Sequence, residues 1–310
     1  MKNSPIDYVI ARESVHIPVE RVADVCRQAN SVRLSCRGRI CRVRPVAFHS
    51  HTIGSDQAFA QRHYAETEET IEVVLDFLSP VAFRVRVFRN GDAPQANSAL
   101  IARDMKQDVS LEMLEEEKNF IIRTGAMEVE VGKDTYGIVV RDTADDVVAQ
   151  IGGPQRMMFG QFDTLPTGFV IDGDGVRSTE TIVMAHDEKI LGMGERFSGI
   201  NRRGETVTNV VQDGMGNASV RCHKPIPFML SSRGYGIFLN TSCPFKAWVG
   251  SQSHAEIALV IEEPSLDYFF FYGPGLQDVL RQYTSLTGRA PMLPEWSFGY
   301  WISRNSFNSP

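Results

Sequence analysis

Cysteine is scarce in this 310-residue chain: there are five, at positions 26, 36, 41, 222 and 243, and no two form a Cys-x-x-Cys pair. An odd number without paired spacing argues against a disulfide framework and offers no zinc site, so reduced, structural thiols are expected. An excess of positive charge is also lacking, with 32 Lys and Arg against 38 Asp and Glu and a net charge of −6. Without a basic stripe to neutralise phosphates, nucleic acid is excluded as a partner. No window approaches the roughly 20 apolar residues of a membrane span. The N-terminus, MKNSPIDYVIARESVHIPVE, has no apolar core of the kind a secretory leader carries. A cytoplasmic location is the resulting expectation. What the chain does have is 43% hydrophobic residues, enough for a sizeable core in one large or two ordinary domains.

Most of that apolar content alternates with polar residues, the period of half-buried strands. Residues 31–48, SVRLSCRGRICRVRPVAF, read as a hairpin with Arg37-Gly38 at its turn and arginines on a solvated face. Because these arginines are spread over both arms and acidic residues prevail in the chain, they are assigned no ligand. Residues 69–78 and 81–88 form another two-strand unit around Ser79-Pro80. Residues 93–118 are the least periodic and read as an exposed loop or one short helix, the acidic run from Glu112 being a solvated face. A β-meander is expected over 119–142 and a turn-rich connection over 143–174. Within that connection Asp172-Gly-Asp-Gly175 begins like a calcium loop but lacks the distal Glu, so a tight turn is expected.

The centre of the chain is denser in signals. Phe228-Met-Leu230 and Gly236-Ile-Phe-Leu-Asn240 flank Ser-Ser-Arg-Gly-Tyr, which is hairpin chemistry. Upstream, residues 201–217 are polar with scattered valines and are expected to cross the surface as a long excursion. Further on, LDYFFFY at 266–272 is a continuous aromatic run that should be buried on both faces. The period then changes: Leu276, Val279, Leu280, Tyr283 and Leu286 fall at helical spacing between Gly275 and Gly288, predicting a helix over 275–287.

Four ordered motifs in this half carry a resemblance: GMGERF at 192–197, the loop containing Asp213, KPIPFMLSSRGYGIFLN at 224–240 and YGPGLQDVLRQYTSLTGRAPMLPEWSFGYWIS at 272–303. Together they resemble glycoside hydrolase family 31, the family of α-glucosidases and α-xylosidases, where its N-terminal β-sandwich runs into the first strand of its (β/α)8 barrel. The resemblance implies a mainly β chain. Residues 1–288 would be a large antiparallel sandwich of the galactose mutarotase type with one C-terminal helix. Residues 289–310 would be a linker and the opening strand of a barrel, with Trp301 packing on that strand. A barrel takes about 250 residues, so the chain is expected to be the N-terminal portion of a longer protein.

Retaining glycoside hydrolysis uses two carboxylates about 5–5.5 Å apart. By the resemblance these are barrel aspartates downstream, so no catalytic residue is assigned in this chain and the chain alone is expected to be inactive. What the family's N-terminal domain supplies is a loop aspartate in a Trp-Asn-x-Asp pattern that meets substrate hydroxyls. The matching run here is Val210-Val211-Gln212-Asp213, which keeps the aspartate and replaces Trp and Asn by valines. Asp213 is therefore a substrate-binding candidate, with capping of its own turn as the alternative. Phe307 corresponds to an aromatic residue lining the sugar pocket. Glu195-Arg196 reads either as a substrate clamp or as an ion pair holding its turn. The resemblance implies no metal or organic cofactor, an oligosaccharide or α-glycoside substrate and self-association. A stand-alone carbohydrate-binding or mutarotase-like sandwich is the other class, with Glu and His as acid and base; His186, His223 and His254 are its candidates.

Overall fold

In the computed structural model, which describes residues 14–48, 57–94, 98–152, 157–158, 161–162, 165–212 and 222–302, the alternating segments pair into an antiparallel β-sandwich. Nineteen strands of the described residues join in one continuous sheet folded into two layers. The first layer runs Ile190–Gly192, Phe228–Ser231, Tyr235–Leu239, Leu266–Tyr272, Ala82–Arg89, Gln57–Ser79, Ser31–Phe48 and Arg21–Gln28 from edge to edge. The second runs Glu205–Asn209, Phe245–Val249, Glu256–Ile261 and Gly175–Val183. Gly175–Val183 then meets both Gly168–Asp172 and Val147–Gly152. From Val147–Gly152 the layer continues through the meander Gly137–Asp142, Met127–Gly132 and Asn119–Arg123.

The predicted meander, the 228–239 hairpin and the tight turn at Asp172 all form. In that last turn the Asp172 carboxylate accepts the Asp174 amide at 2.9 Å and pairs with Arg177. Val32, Leu34, Ile71, Val73, Phe83 and Val85 face Val129, Val140, Ile257 and Leu259 in one continuous core, all essentially without exposure. The aromatic run Leu266–Tyr272 is buried on both faces as expected. Tyr268 and Phe270 enter the main core, while Phe269 and Phe271 pack in a second cluster on the outer face.

That second cluster is what the helix covers. Leu276–Thr287 is helical, with Gly275 as its N-cap, one residue later than the spacing suggested. It buries Val279 and Leu286 and stacks Tyr283 on Phe228 at 4.0 Å between centroids. Leu280 stays 47% exposed, so the apolar stripe is wider than the face the sandwich accepts.

Three expectations need correction. Residues 31–48 are not a hairpin but a single 18-residue strand, Ser31–Phe48. Gly38 lies mid-strand opposite Glu69, and a Cβ there would stand 2.1 Å from the Pro18 carbonyl oxygen. The glycine serves the close approach of a neighbouring chain rather than a turn. This strand also joins the layers, pairing with Arg21–Gln28 over its first residues and, past a register shift after Arg39, with Ser14–Pro18. Gly38→Ala is therefore expected to lower stability by about 1–3 kcal/mol, as overpacking does, read as a fall in the denaturation midpoint. The arginines of this region do form a solvated, ion-paired face, with Arg21 2.8 Å from Glu68 and Arg39 2.8 Å from Glu20.

The acidic run is neither loop nor helix. Glu112–Glu115 is an edge strand on Asn119–Arg123, and Glu115 meets Lys133 at 2.7 Å. Within 201–217, residues Glu205–Asn209 form a strand on Phe245–Val249 rather than part of an excursion. An edge strand needs little apolar surface, and here only Val207 and Asn209 point inward. Within the segment expected to be linker and barrel strand, 289–310, Glu295–Phe298 is a short 3₁₀ turn, and residues 299–302 have no strand partner among the described residues. A strand takes its hydrogen bonds from neighbours, and the described residues provide none there.

Candidate functional site

Asp213 and Phe307, the two residues assigned to substrate, both lie outside the described residues. What the structure does describe is the base from which the Asp213 segment departs and returns. Ile190–Gly192 pairs with Phe228–Ser231, and then the chain turns through three successive residues with positive φ: Gly192 at 95°, Met193 at 62° and Gly194 at 87°. A Cβ on Gly194 would sit 2.1 Å from the Lys224 carbonyl oxygen. Glycine is required there twice over, by backbone angle and by contact.

The turn that results clasps both stems. On the returning side the Met193 amide donates to the Phe228 carbonyl at 2.8 Å and the Glu195 amide to the Lys224 carbonyl at 3.1 Å. The Cys222 thiol donates to the Glu195 carbonyl at 2.8 Å. On the departing side the Arg196 guanidinium donates to the Met193 carbonyl at 2.9 Å, the Thr208 carbonyl at 3.2 Å and Asn209 Oδ1 at 2.9 Å. The stems meet where Val211 bridges Cys222 and the Gln212 amide donates to the Cys222 carbonyl at 3.1 Å. Gln212 is the residue before Asp213.

The expected Glu195–Arg196 pair is thus replaced by a different arrangement. Arg196 is turned inward onto backbone carbonyls, and Glu195 faces Lys224 at 3.6 Å in solvent. Orphan carbonyls at a tight turn attract a planar multi-donor more strongly than an exposed carboxylate next door. Burial lowers the Arg196 pKa, and the neighbouring charge of Arg202 adds to that effect against the opposing influence of Cys222 and Glu205. Arg202, which sequence reasoning did not single out, is 5% exposed and donates to Gly192 O, Ser198 Oγ and Gly199 O. Its only sequence signal is position, an arginine three residues before a strand that opens on Glu205. Around this clasp Phe197, Ile200 and Val211 stand 68%, 80% and 69% exposed.

The groups of the alternative reading do not assemble. His186 is exposed, 3.8 Å from Asp187, and His223 and His254 are exposed. The buried carboxylates are committed elsewhere: Glu188 accepts Ser231, Tyr235 and the Ala185 amide, while Glu180 accepts Thr167 and the Thr181 amide. A cavity of about 320 Å³ lies under residues 101–106, lined by Asp76, Arg84, Arg86, Met105 and Leu286. There Arg86 is bound to Asp76 and Arg84 to Asp267. Among the described residues no group of three or more His, Cys, Asp or Glu could hold a metal ion, and no helix is long and apolar enough to cross a membrane.

Comparison with known proteins places this architecture. Residues 72–246 match the model of the glycosyl hydrolase 31 N-terminal galactose mutarotase-like domain. The α-xylosidase XylQ of Lactiplantibacillus pentosus is 41% identical over 124 residues, covering 40% of this chain and 16% of that protein. An α-glucosidase 2 of Bacillus thermoamyloliquefaciens is 33% identical over 140 residues, 41% of this chain and 17% of that protein. Among solved structures, a dextranase of Flavobacterium johnsoniae complexed with isomaltotriose superposes with a TM-score of 0.68 at 20% identity, over 91% of this chain and 30% of that one. The chain therefore spans about a sixth of the length of the curated relatives it matches.

Proposed function

The chain belongs to glycoside hydrolase family 31, and on that premise we propose that it is the N-terminal portion of a retaining α-glycosidase acting on α-xylosides or α-glucosides. The sandwich, residues 1–288, and the linker and opening strand, residues 289–310, precede a barrel that carries both catalytic aspartates. The xylosidase and glucosidase names of its relatives support this choice of substrates. The protein is read as cytoplasmic and self-associating.

The observation that carries the reading is the tail after the helix. Trp296, Phe298, Tyr300, Trp301 and Ile302 are 70%, 74%, 93%, 65% and 87% exposed. Folded proteins cover apolar runs of this kind with a partner surface, and a barrel packed on the sandwich would do so. In this reading Asp213 accepts hydrogen bonds from two sugar hydroxyls, as a loop carboxylate is suited to do, and Phe307 lines the same pocket.

Two assays test it. Residues 1–310 alone are expected to release no product from an aryl α-xyloside or α-glucoside, while the protein extended through its barrel does; turnover by residues 1–310 would place the chemistry inside the sandwich. In the extended protein Asp213→Ala is expected to lower kcat/KM roughly 10- to 100-fold, the loss of charge-assisted hydrogen bonds. An unchanged kcat/KM on every substrate tried would make the loop purely structural.

A further inference from the structure

We infer that the cavity beneath residues 101–106 binds a small organic anion, a carboxylate carried on a compact apolar body. Its volume of about 320 Å³ lies at the small end of the range of ligand-holding clefts. Two strands of the first layer, the aromatic strand and the helix form its floor and sides, and the strap 101–107 crosses it.

The strap is tied at both ends, so the walls are formed before any ligand arrives. The Ala102 and Arg103 amides donate to the Leu286 carbonyl at 2.9 and 3.1 Å, and the Gln107 amide donates to the Leu78 carbonyl at 2.9 Å. Asn30 Nδ2 adds a bond to the Gln107 carbonyl at 2.6 Å. Leu78, Ile101, Met105, Phe269 and Leu286 supply the apolar lining. The charged lining sets Arg84, Arg86, Arg103 and Lys106 against Asp76 and Asp104. Even with Asp267, the partner of Arg84, positive charge is in excess here, in a chain of net charge −6. The carboxylates are engaged: Asp76 Oδ2 accepts Arg86 Nε at 3.1 Å and Nη2 at 2.6 Å, and Asp104 Oδ1 accepts the Lys106 amide at 3.0 Å. Donors are left over. Arg86 Nη1 and the side chains of Arg103 and Lys106 donate to no described residue. Surplus cationic donors favour an anion, whose oxygens accept charge-assisted bonds, and an arginine fork matches a carboxylate. A sugar ring fits this lining less well. Its one aromatic ring, Phe269, is already covered by the Arg84 guanidinium, 5.1 Å from the ring centroid.

The experiment uses the protein extended through its barrel and benzoate as the probe, with binding read by saturation-transfer NMR on the ligand. Benzyl alcohol keeps the ring without the charge, and inorganic phosphate, added as a competitor, keeps the charge without the ring. Benzoate is expected to bind in the millimolar range, as a ligand of so few atoms does. Benzyl alcohol and phosphate should each bind at least about tenfold more weakly, the worth of one charge-assisted bond or one buried ring. The double variant Arg103→Glu with Lys106→Glu changes exposed side chains that make no described bonds. It should keep the parent's melting temperature and lose more than about tenfold in benzoate affinity. Should it not fold, Arg103→Ala and Lys106→Ala carry the same comparison singly. Xylose at saturation should leave benzoate binding unchanged. The inference is overturned if benzoate gives no saturation transfer, if the variants bind it as the parent does, or if benzyl alcohol or phosphate binds as tightly. Displacement of benzoate by xylose would overturn it too, by placing the probe in the sugar pocket. None of these outcomes bears on the Asp213 reading, which stands or falls on its own assay.

Discussion

Asp267→Ala is expected to destabilise the sandwich by about 3–5 kcal/mol, the cost of leaving a buried charge without its partner. Asp267 interrupts the aromatic strand Leu266–Tyr272, and its register neighbour on Ala82–Arg89 is Arg86. Its carboxylate reaches Arg84, accepting Nε at 2.7 Å and Nη2 at 2.6 Å, and also accepts Asn240 Nδ2 at 2.6 Å. Arg84 and Asp267 are only 9% and 7% exposed, and the guanidinium lies 5.1 Å over the Phe269 ring. The bidentate pair offsets a large desolvation cost that either partner would otherwise bear alone. In urea the single variant should lower the midpoint at unchanged m-value. The double variant Arg84→Met with Asp267→Leu should recover most of the loss, because paired apolar replacements fill the volume without a stranded charge. A single-variant cost below about 1 kcal/mol, matched by the double, would show that solvent reaches the pair.

Stability should also fall as pH rises from about 4.5 to about 7, through Glu180. This carboxyl is 1% exposed in the core. Burial pushes it up from 4.5 to about 7, against the lowering effect of hydrogen bonds from Thr167, the Thr181 amide and Tyr268. A carboxyl whose pKa is higher folded than unfolded binds the extra proton in the native state, so its contribution is fully present below pH 4.5 and is lost as pH climbs to 7. The rise corresponds to about 3 kcal/mol. In Glu180→Gln the amide oxygen can take the Thr167 and Thr181 bonds and the amide nitrogen can face Tyr268, with nothing to ionise. The variant should therefore gain on the parent steadily between pH 5 and pH 7 in chemical denaturation. A difference between the two that stays flat over that range would mean Glu180 keeps its ordinary acidity in the fold.

Asp267 and Glu180 also mark what sequence reading passes over. Asp267 is a charge set inside an aromatic run that was read correctly, whereas Glu180 lies in Gly175–Val183, a strand the sequence reading did not single out. For Asp267 the position out of pattern is the available signal, but partner identity is not local: Arg84 and Asp267 are separated by 183 positions. The same limit explains the misread arginine-rich stretch. Arg37-Gly38 has turn composition, yet what demands the glycine is the Pro18 carbonyl on another strand. The Glu205–Asn209 strand was missed because two inward residues at a sheet edge leave too short a pattern to see. At the candidate site, Asp213 and Phe307 came from the family resemblance, while the role of Arg196 toward Met193, Thr208 and Asn209 came only from the folded chain.

By itself the sequence determined the local choices: strand period over most of the chain, the hairpin at Ser231 to Tyr235, the aromatic run, the single helix between its two glycines, and the family whose motifs it carries. These follow from side-chain alternation and backbone freedom, which act over a few residues. Only the tertiary structure decided that one long strand joins the two layers, that Asp267 answers Arg84, and that the Gly192–Phe197 turn grips both stems of the Asp213 segment. Each of those depends on carbonyls and charges brought together from distant parts of the chain, and no short-range pattern records which of them will meet.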